Sequence, residues 1–299
     1  MDRLQAMTTF VTVVETGGFA SAARKLDVSP SVVSRVVTEL EEHLGVRLLT
    51  RTTRVVRLTD AGSGYFEDCR RILGDVDSAE LSATGTHSSP RGLLSITAPA
   101  MFGRLHVTPI VLDYLQRYPE ADANCWFVDR VVNLVDEGID VAVRIAQLPD
   151  SSLQAISVGR VRRVLCASPA YLAKHGTPRH PDDLAAHVVI ASTGSSTPPE
   201  WRLHDGERQI LVRNHARFTT TTNDSAIAAA LADFGIGRLM SYQIAQHVNE
   251  GSLVIVLPEF EPPPLPIHLV HREGRHVTQK VRAFLDLAVA TLRADESLR

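Results

Sequence analysis

Phe19-Ala20-Ser21-Ala22-Ala23-Arg24-Lys25-Leu26-Asp27-Val28-Ser29-Pro30-Ser31-Val32-Val33-Ser34-Arg35 is the stretch on which the fold of the first part of the chain turns. Phe19, Ala22, Ala23 and Leu26 share one face of a helix, and Asp27-Val28 interrupts it. Ser29-Pro30 then restarts helix: serine caps free amides, and proline suits the first helical position, where no amide donor is needed. The new helix runs from Pro30 to a stop at Gly45. At about 100° per residue, Val33, Val37, Leu40 and Leu44 make an apolar stripe. Ser31, Arg35, Thr38 and Glu42 gather on the opposite side.

Upstream, Leu4, Met7, Phe10, Val11 and Val14 recur at helical spacing, so a first helix is expected over 3–16, ended by Gly17-Gly18. Downstream, Val46 to Leu58 alternates as a short ribbon. It carries Arg47, Arg51, Arg54 and Arg57, with no acid between Glu42 and Asp60. A long helix follows from Asp60 to about Ala83, in which Tyr65, Cys69, Ile72, Val76, Ala79 and Ala83 repeat at coiled-coil spacing. So short a seam of modest residues is marginal alone, which predicts that it pairs with its own copy in a dimer or tetramer, with packing on its own domain as the alternative.

A helix, a tight turn and a second helix with a polar outward face have the form of a helix-turn-helix, whose second helix enters the DNA major groove. Arginine there bonds guanine bidentately, and serine or threonine serves bases or phosphates. The reader residues expected are Ser29, Ser31, Ser34, Arg35 and Thr38. Arg51, Thr52, Arg54 and Arg57 would lie along the backbone as a wing and add salt-dependent affinity. Such a patch has to be local, because 31 Lys and Arg against 34 Asp and Glu leave the 299-residue chain at a formal charge of −3.

A hydrophobic content of 44% with 22% charge excludes whole-chain disorder and collagen-like repeats. Three separated cysteines, Cys69, Cys125 and Cys166, suit free thiols in a reducing compartment rather than a disulfide framework or a zinc site. The N-terminus lacks the apolar core of a signal peptide, and no apolar run reaches the roughly 18 residues of a membrane helix. A cytoplasmic protein without a membrane partner is expected.

The texture changes at the small, polar stretch 84–92, where we place a linker. Beyond it, Leu93–Thr97, Ala123–Val128 and Ile139–Ile145 read as buried strands separated by helices near 104–118 and 130–137. The alternation continues through Val164–Ala167, Val188–Ala191, a helix at 224–234, Ile236–Met240, Leu253–Leu257, Ile267–Val270 and a helix at 277–292. This order predicts an α/β domain with a parallel sheet.

Catalytic motifs are weak. Gly194-Ser195-Ser196 lacks the second glycine of a nucleophile elbow, and Gly235-Ile236-Gly237 lacks the third glycine of a dinucleotide fingerprint. His268 and His271 lie on a predicted strand and so point to opposite faces. His175, His180 and His187 fall in a polar, Pro-rich region that favours solvation over metal ligation. No enzyme activity and no cofactor is expected; a small-molecule-binding protein without a DNA role, or an enzyme, are the alternatives.

These residues closely resemble the LysR-type transcriptional regulators. The likeness runs through Phe19-Ala20-Ser21-Ala22-Ala23-Arg24-Lys25-Leu26, Ser29-Pro30-Ser31, Val33-Ser34-Arg35, Leu44-Gly45-Val46-Arg47-Leu48-Leu49 and Leu58-Thr59-Asp60-Ala61-Gly62. It continues in Arg130-Val131-Val132-Asn133-Leu134-Val135-Asp136-Glu137-Gly138, Leu165-Cys166-Ala167-Ser168-Pro169-Ala170-Tyr171-Leu172 and Gly235-Ile236-Gly237. Two positions depart from it: Val36 stands where a polar residue is usual, and Gly18 replaces a common serine before the second helix.

The resemblance implies an N-terminal all-α winged helix-turn-helix over 1–59, then a linker helix and hinge over 60–91. It further implies a C-terminal α/β two-lobed periplasmic-binding-protein-like domain over 92–299. Lobe 1 would take about 92–160 and 267–299 and lobe 2 about 161–266, with crossovers near 158–163 and 262–267 and an inducer cleft between the lobes. Partners implied are a double-stranded DNA operator, a small-molecule effector, further copies of the chain and RNA polymerase.

Open α/β sheets bind ligands beyond the carboxyl ends of their strands. That rule nominates Thr97, Pro99, Met101, Phe102, Val128 and Arg144 in one lobe, and Thr193, Thr221 and Asn223 in the other. Arg144 reads as a carboxylate partner or a structural ion pair. Val128 stands where the resemblance leads to a hydroxyl, which points to a less acidic or more apolar effector.

Overall fold

A computed structural model describes residues 2–51, 56–83, 89–149, 153–192, 200–213, 215–272 and 277–299. The chain divides into two compact units. Met1–Leu94 with Tyr118–Asp122 and Thr278–Lys280 form the first; Ser95–Arg117, Ala123–Val277 and Val281–Arg299 form the second.

In the first unit, α1 (Arg3–Glu15), α2 (Phe19–Lys25) and α3 (Pro30–Leu44) precede an antiparallel ribbon of β1 (Leu49–Arg51) and β2 (Val56–Leu58), and α4 (Asp60–Ala83) follows. Asp2 caps α1 by accepting from the amides of Leu4 and Gln5. Gly18 precedes α2 and supplies no side-chain cap. Ser29 caps α3 by accepting from the Val32 amide at 3.4 Å, and Gly45 ends α3 at φ 69°, a left-handed value that glycine adopts without steric cost. Ala6, Phe10, Val13, Ala22, Ala23, Val33, Val37, Leu40, Leu48 and Leu49 form the core, where each large aliphatic buried contributes roughly 1.5–3 kcal/mol.

Two expectations change here. Leu44 is 36% exposed, and the buried position in the last turn of α3 belongs to Glu41. Because the chain reverses at Gly45, this turn faces the start of the ribbon, and Glu41 Oε1 accepts from the amides of Leu48 at 2.8 Å and Leu49 at 3.0 Å. The α4 seam is also partly spent within its own unit. Cys69 is fully buried in the same core, with Tyr65, Phe66 and Leu73 packed against it, and burial pushes its thiol up to about 11. Ile72 and Val76 are half-buried, while the side chains of Ala79 and Ala83 lie outside the described residues.

The opening of α4 is fixed by close approach. Thr59 Oγ1 donates to the Arg47 carbonyl at 2.7 Å and accepts from the Gly62 amide at 2.9 Å. A Cβ on Gly62 would stand 1.9 Å from the Leu48 carbonyl oxygen, so only glycine fits.

The α/β part begins with β3 (Gly92–Ala98), α5 (Ala100–Phe102), a π-helical turn (Gly103–Val107), α6 (Thr108–Arg117), β4 (Ala121–Phe127), β5 (Val141–Ile145) and β6 (Leu153–Val161). The chain then passes through Arg162 into β7 (Arg163–Ala167), α7 (Pro169–His175), β8 (Val189–Ser192), β9 (Glu200–Asp205), β10 (Arg208–Arg213) and β11 (Ala216–Thr220). It continues through α8 (Asn223–Leu231), β12 (Ile236–Met240), α9 (Ser241–Asn249) and β13 (Val254–Val256), and ends with β14 (Leu265–Arg272) and α10 (Gln279–Ala294).

Two five-stranded sheets result, ordered β4-β3-β5-β14-β6 and β11-β8-β12-β7-β13, with β9 and β10 as a separate hairpin. This is the two-lobed α/β fold. The sheets are mixed rather than parallel: β14 runs antiparallel to β5 and β6, and β7 antiparallel to β12 and β13. The reason lies in the path, since the chain crosses between sheets twice and the strand that follows each crossing, β7 and then β14, runs against its neighbours. Arg162 and Glu261 join the two crossing segments through paired bonds of 2.9 and 3.0 Å.

Residues 130–137 form a turn instead of the expected helix. Asn133 Oδ1 accepts from the Val135 amide, Glu137 accepts from the Asn133 amide, and Arg130 holds Glu137 bidentately at 2.8 and 2.6 Å. Such local side-chain bonds compete directly with helical ones.

Candidate nucleic-acid surface and ligand cleft

On α3, Ser31 and Arg35 are exposed, and Ser34 and Thr38 are half-buried. Ser29 Oγ and Ser31 Oγ are 2.8 Å apart, and Thr38 Oγ1 donates to the Ser34 carbonyl at 2.9 Å. Thus Ser29 and Thr38 already have bonds within the helix, whereas the Arg35 guanidinium lies 3.8 Å from Glu39 with its side chain 70% exposed. Val36, one of the two departures, packs against the core and does not project with the polar face. On the ribbon, the register places Thr50 opposite Arg57, and both are exposed. Thr52 and Arg54 lie outside the described residues, as does the side chain of Arg51.

The second unit contains a cavity of about 240 Å³ walled by both sheets. Of the nominated residues, Pro99, Val128, Arg144 and Asn223 line it. Thr97 does not: it is fully buried in β3 and donates to the Trp126 carbonyl at 2.7 Å. Met101 and Phe102 are core residues, with Phe102 edge-on to Tyr242 at 5.3 Å. Thr221 is exposed and lies off the cavity wall, and the cap of α8 is its neighbour Thr222, which accepts from the Ser225 amide. Thr193 lies outside the described residues.

Several lining residues were missed: Asp129, Arg163, Ser192, Trp201, Arg238, Met240, Tyr242 and Gln243. Because β7 is antiparallel to β12, Arg163 at the start of β7 pairs with Met240 at the end of β12. A rule that inspects only carboxyl ends of strands passes over it. Arg238 was concealed inside an apolar strand; its guanidinium sits 5.8 Å over the ring of Trp201, which is 3% exposed.

Charge in the cavity is unevenly compensated. Arg130 is neutralised by Glu137, and Arg144 donates to the Val132 carbonyl. Burial lowers the pKa of Arg144, Arg163 and Arg238, and for Arg238 the repulsion of Arg163 and Arg202 adds to burial and takes it down to about 10. The acid on the wall is Asp129, which accepts from the Ala100 amide at 3.0 Å. Burial also raises the Tyr242 phenol, whose oxygen accepts from Gln243 Nε2 at 3.4 Å.

A winged helix-turn-helix followed by a two-lobed α/β module with a polar cleft defines a class, the one-component transcriptional regulators. Comparison with known proteins narrows the class. Residues 4–63 match the profile of the bacterial regulatory helix-turn-helix protein, lysR family, and residues 87–293 match the LysR substrate binding domain. A transcriptional repressor of Pseudomonas aeruginosa is 36% identical over 96% of this chain and 91% of its own. The transcriptional regulator CrgA of Neisseria meningitidis is 34% identical over 96% of each chain. The solved structure of CrgA covers 96% of this chain and 98% of its own at a TM-score of 0.62, and that of the Vibrio cholerae virulence activator AphB covers 96% and 98% at 0.62. The chain belongs to the LysR family of transcriptional regulators. Regulators of this family bind DNA and small-molecule effectors and form oligomers.

Proposed function

We propose that this chain is a sequence-specific DNA-binding regulator whose activity is set by a small molecule held in the cleft between the two sheets. The observation that carries the reading is the outward face of α3, where Ser31 and Arg35 are exposed on a helix whose opposite side is locked into the core by Val33, Val37 and Leu40. A rigid helix with exposed polar groups at its N-terminal end suits a major groove. Ser31, Ser34 and Arg35 read bases; Arg57, with Arg51, Thr52 and Arg54, grips phosphate and contributes salt-dependent affinity. Ser29 and Thr38 act chiefly as supports, because each is engaged within the helix.

The regulator acts as a homo-oligomer in the cytoplasm, as palindromic operators require of paired readers. Effector binding favours one arrangement of subunits through differential affinity, and RNA polymerase or DNA bending reads the change. No membrane partner, cofactor or catalytic step enters this reading; among the described residues no helix is long and apolar enough to cross a membrane.

The test is fluorescence-anisotropy binding of the full chain to the intergenic DNA upstream of its own gene, against random DNA of equal length at two salt concentrations. A preference for the upstream DNA, with affinity falling steeply as salt rises, is expected. Failure on both DNAs by folded protein removes the reader assignment.

A further inference from the structure

We propose that the cleft selects a small organic carboxylate on an apolar body, whose charge is held by Arg163 and Arg238. This rests on the reading of the cleft as the effector site and names the chemistry that site accepts. The two arginines stand diagonally on one face of the β7–β12 pair, since Met240 is the direct partner of Arg163 and shares its face with Arg238. Both guanidinium groups are partly buried, and among the described residues neither has a carboxylate partner. Two neighbouring cations drawn out of water are costly unless something pairs them. An anion in the cavity supplies that pairing, and the depressed Arg238 value records the strain it relieves.

Three further features shape the ligand. The Ser192 hydroxyl lines the same cavity, is buried and has no hydrogen-bond partner among the described residues, so it provides a donor beside the arginines. Trp201 lies 5.8 Å beneath the Arg238 guanidinium, a cation–π arrangement that puts an aromatic ring on the same wall. Val143, Ile145, Ile190 and Leu239 supply an apolar wall. At about 240 Å³ the cavity lies below the usual ligand-pocket range, which starts at about 300 Å³, so the molecule it takes is small. Val128 lines the same cavity from the other sheet, and its apolar side chain accords with the expectation of a more apolar effector.

The chain has two tryptophans, so Trp126→Phe leaves Trp201 as the single indole reporter. In that background, benzoate and 4-methylpentanoate are titrated beside their neutral amides, benzamide and 4-methylpentanamide, reading Trp201 fluorescence and the melting temperature of the full chain. At least one acid is expected to bind well ahead of its amide. Arg163→Met and Arg238→Met are expected to weaken that acid about thirtyfold or more, with Arg238→Lys intermediate.

The ligand-free melts provide a second readout. Arginines retained for a ligand leave the melting temperature unchanged or raised when replaced by methionine, whereas arginines retained for the fold lower it. A lowered melt, or acid affinity unchanged in both methionine variants, overturns the proposal. Amides that bind as well as or better than acids overturn the anion selectivity and leave the cleft as an effector site. If none of the four probes changes either signal, the anion proposal and the effector-site reading fall together.

Discussion

Arg35 on α3 and Arg238 on β12 carry the same charge in opposite surroundings. Arg35 is largely solvated and rests near Glu39, and such an exposed pair contributes about 0–1 kcal/mol. Arg238 is packed over Trp201, faces Arg163 across the strands and is held at about 10. In the proposed function the solvated arginine would meet a polyanion at little cost, whereas the enclosed pair would be satisfied by one kind of charge. One residue type would then serve two recognition problems, with the surrounding dielectric deciding which.

The comparison is broken most severely at Gly62. Gly62→Ala drives a methyl group into the Leu48 carbonyl and is expected to destabilise the first unit by about 3 kcal/mol. Thermal unfolding followed by DNA binding should show the loss, while ligand quenching of Trp201 in the second unit persists. Equal damage to both signals would mean that the two units do not fold separately.

A sharper comparison comes from Arg35→Ala, expected to cost about 1–3 kcal/mol on the operator and to relax base preference. Arg57→Ala should weaken all DNA alike and lower the salt slope by about one. Equal loss on operator and random DNA for Arg35→Ala would place Arg35 with the phosphate contacts.

The smallest expected effect concerns His106, whose Nδ1 lies 3.0 Å from Asp295 and whose Nε2 is buried without a partner among the described residues. Burial lowers its pKa more strongly than Asp295 raises it, so the folded protein keeps the ring neutral below the ordinary value of 6.5. As pH falls through 6.5 the unfolded chain takes up the proton first, and stability declines until the folded value is passed. Urea titrations across this window should show a slope that His106→Gln reduces, with His187, whose pKa burial also lowers, carrying the remainder; a slope unchanged in that variant assigns it elsewhere.

Much of the first unit was legible because its signals are local. Ser29-Pro30 and Gly45 bound α3 at the residues predicted, and the spacing of Val33, Val37 and Leu40 identified the buried face. Glu41 was not legible as a core residue, since its burial depends on a ribbon folding back to present two amides. In the second unit the hairpin of β9 and β10 carried an unused signal: Gly206-Glu207, with Gly206 at φ 58° in the first position of the two-residue turn, between the alternating pairs Trp201/Leu203 and Ile210/Val212. Residues 130–137 misled through helical spacing of Val131, Leu134 and Val135, although Val131 and Val135 are 86% and 60% exposed. Periodicity does not register the Asn133 and Glu137 side chains that capture the backbone amides.

The sequence by itself determined the helix-turn-helix, the change of texture after α4 and the α/β character of the remainder. All three rest on capping residues and periodicities acting within a few turns of chain. Tertiary structure alone decided which arginines share a cavity. Arg163 and Arg238 are far apart in the chain and become neighbours because β7 runs against β12, a consequence of a path that crosses between sheets. Local sequence carries no mark of strand direction, and here strand direction selects the cations that face the cavity.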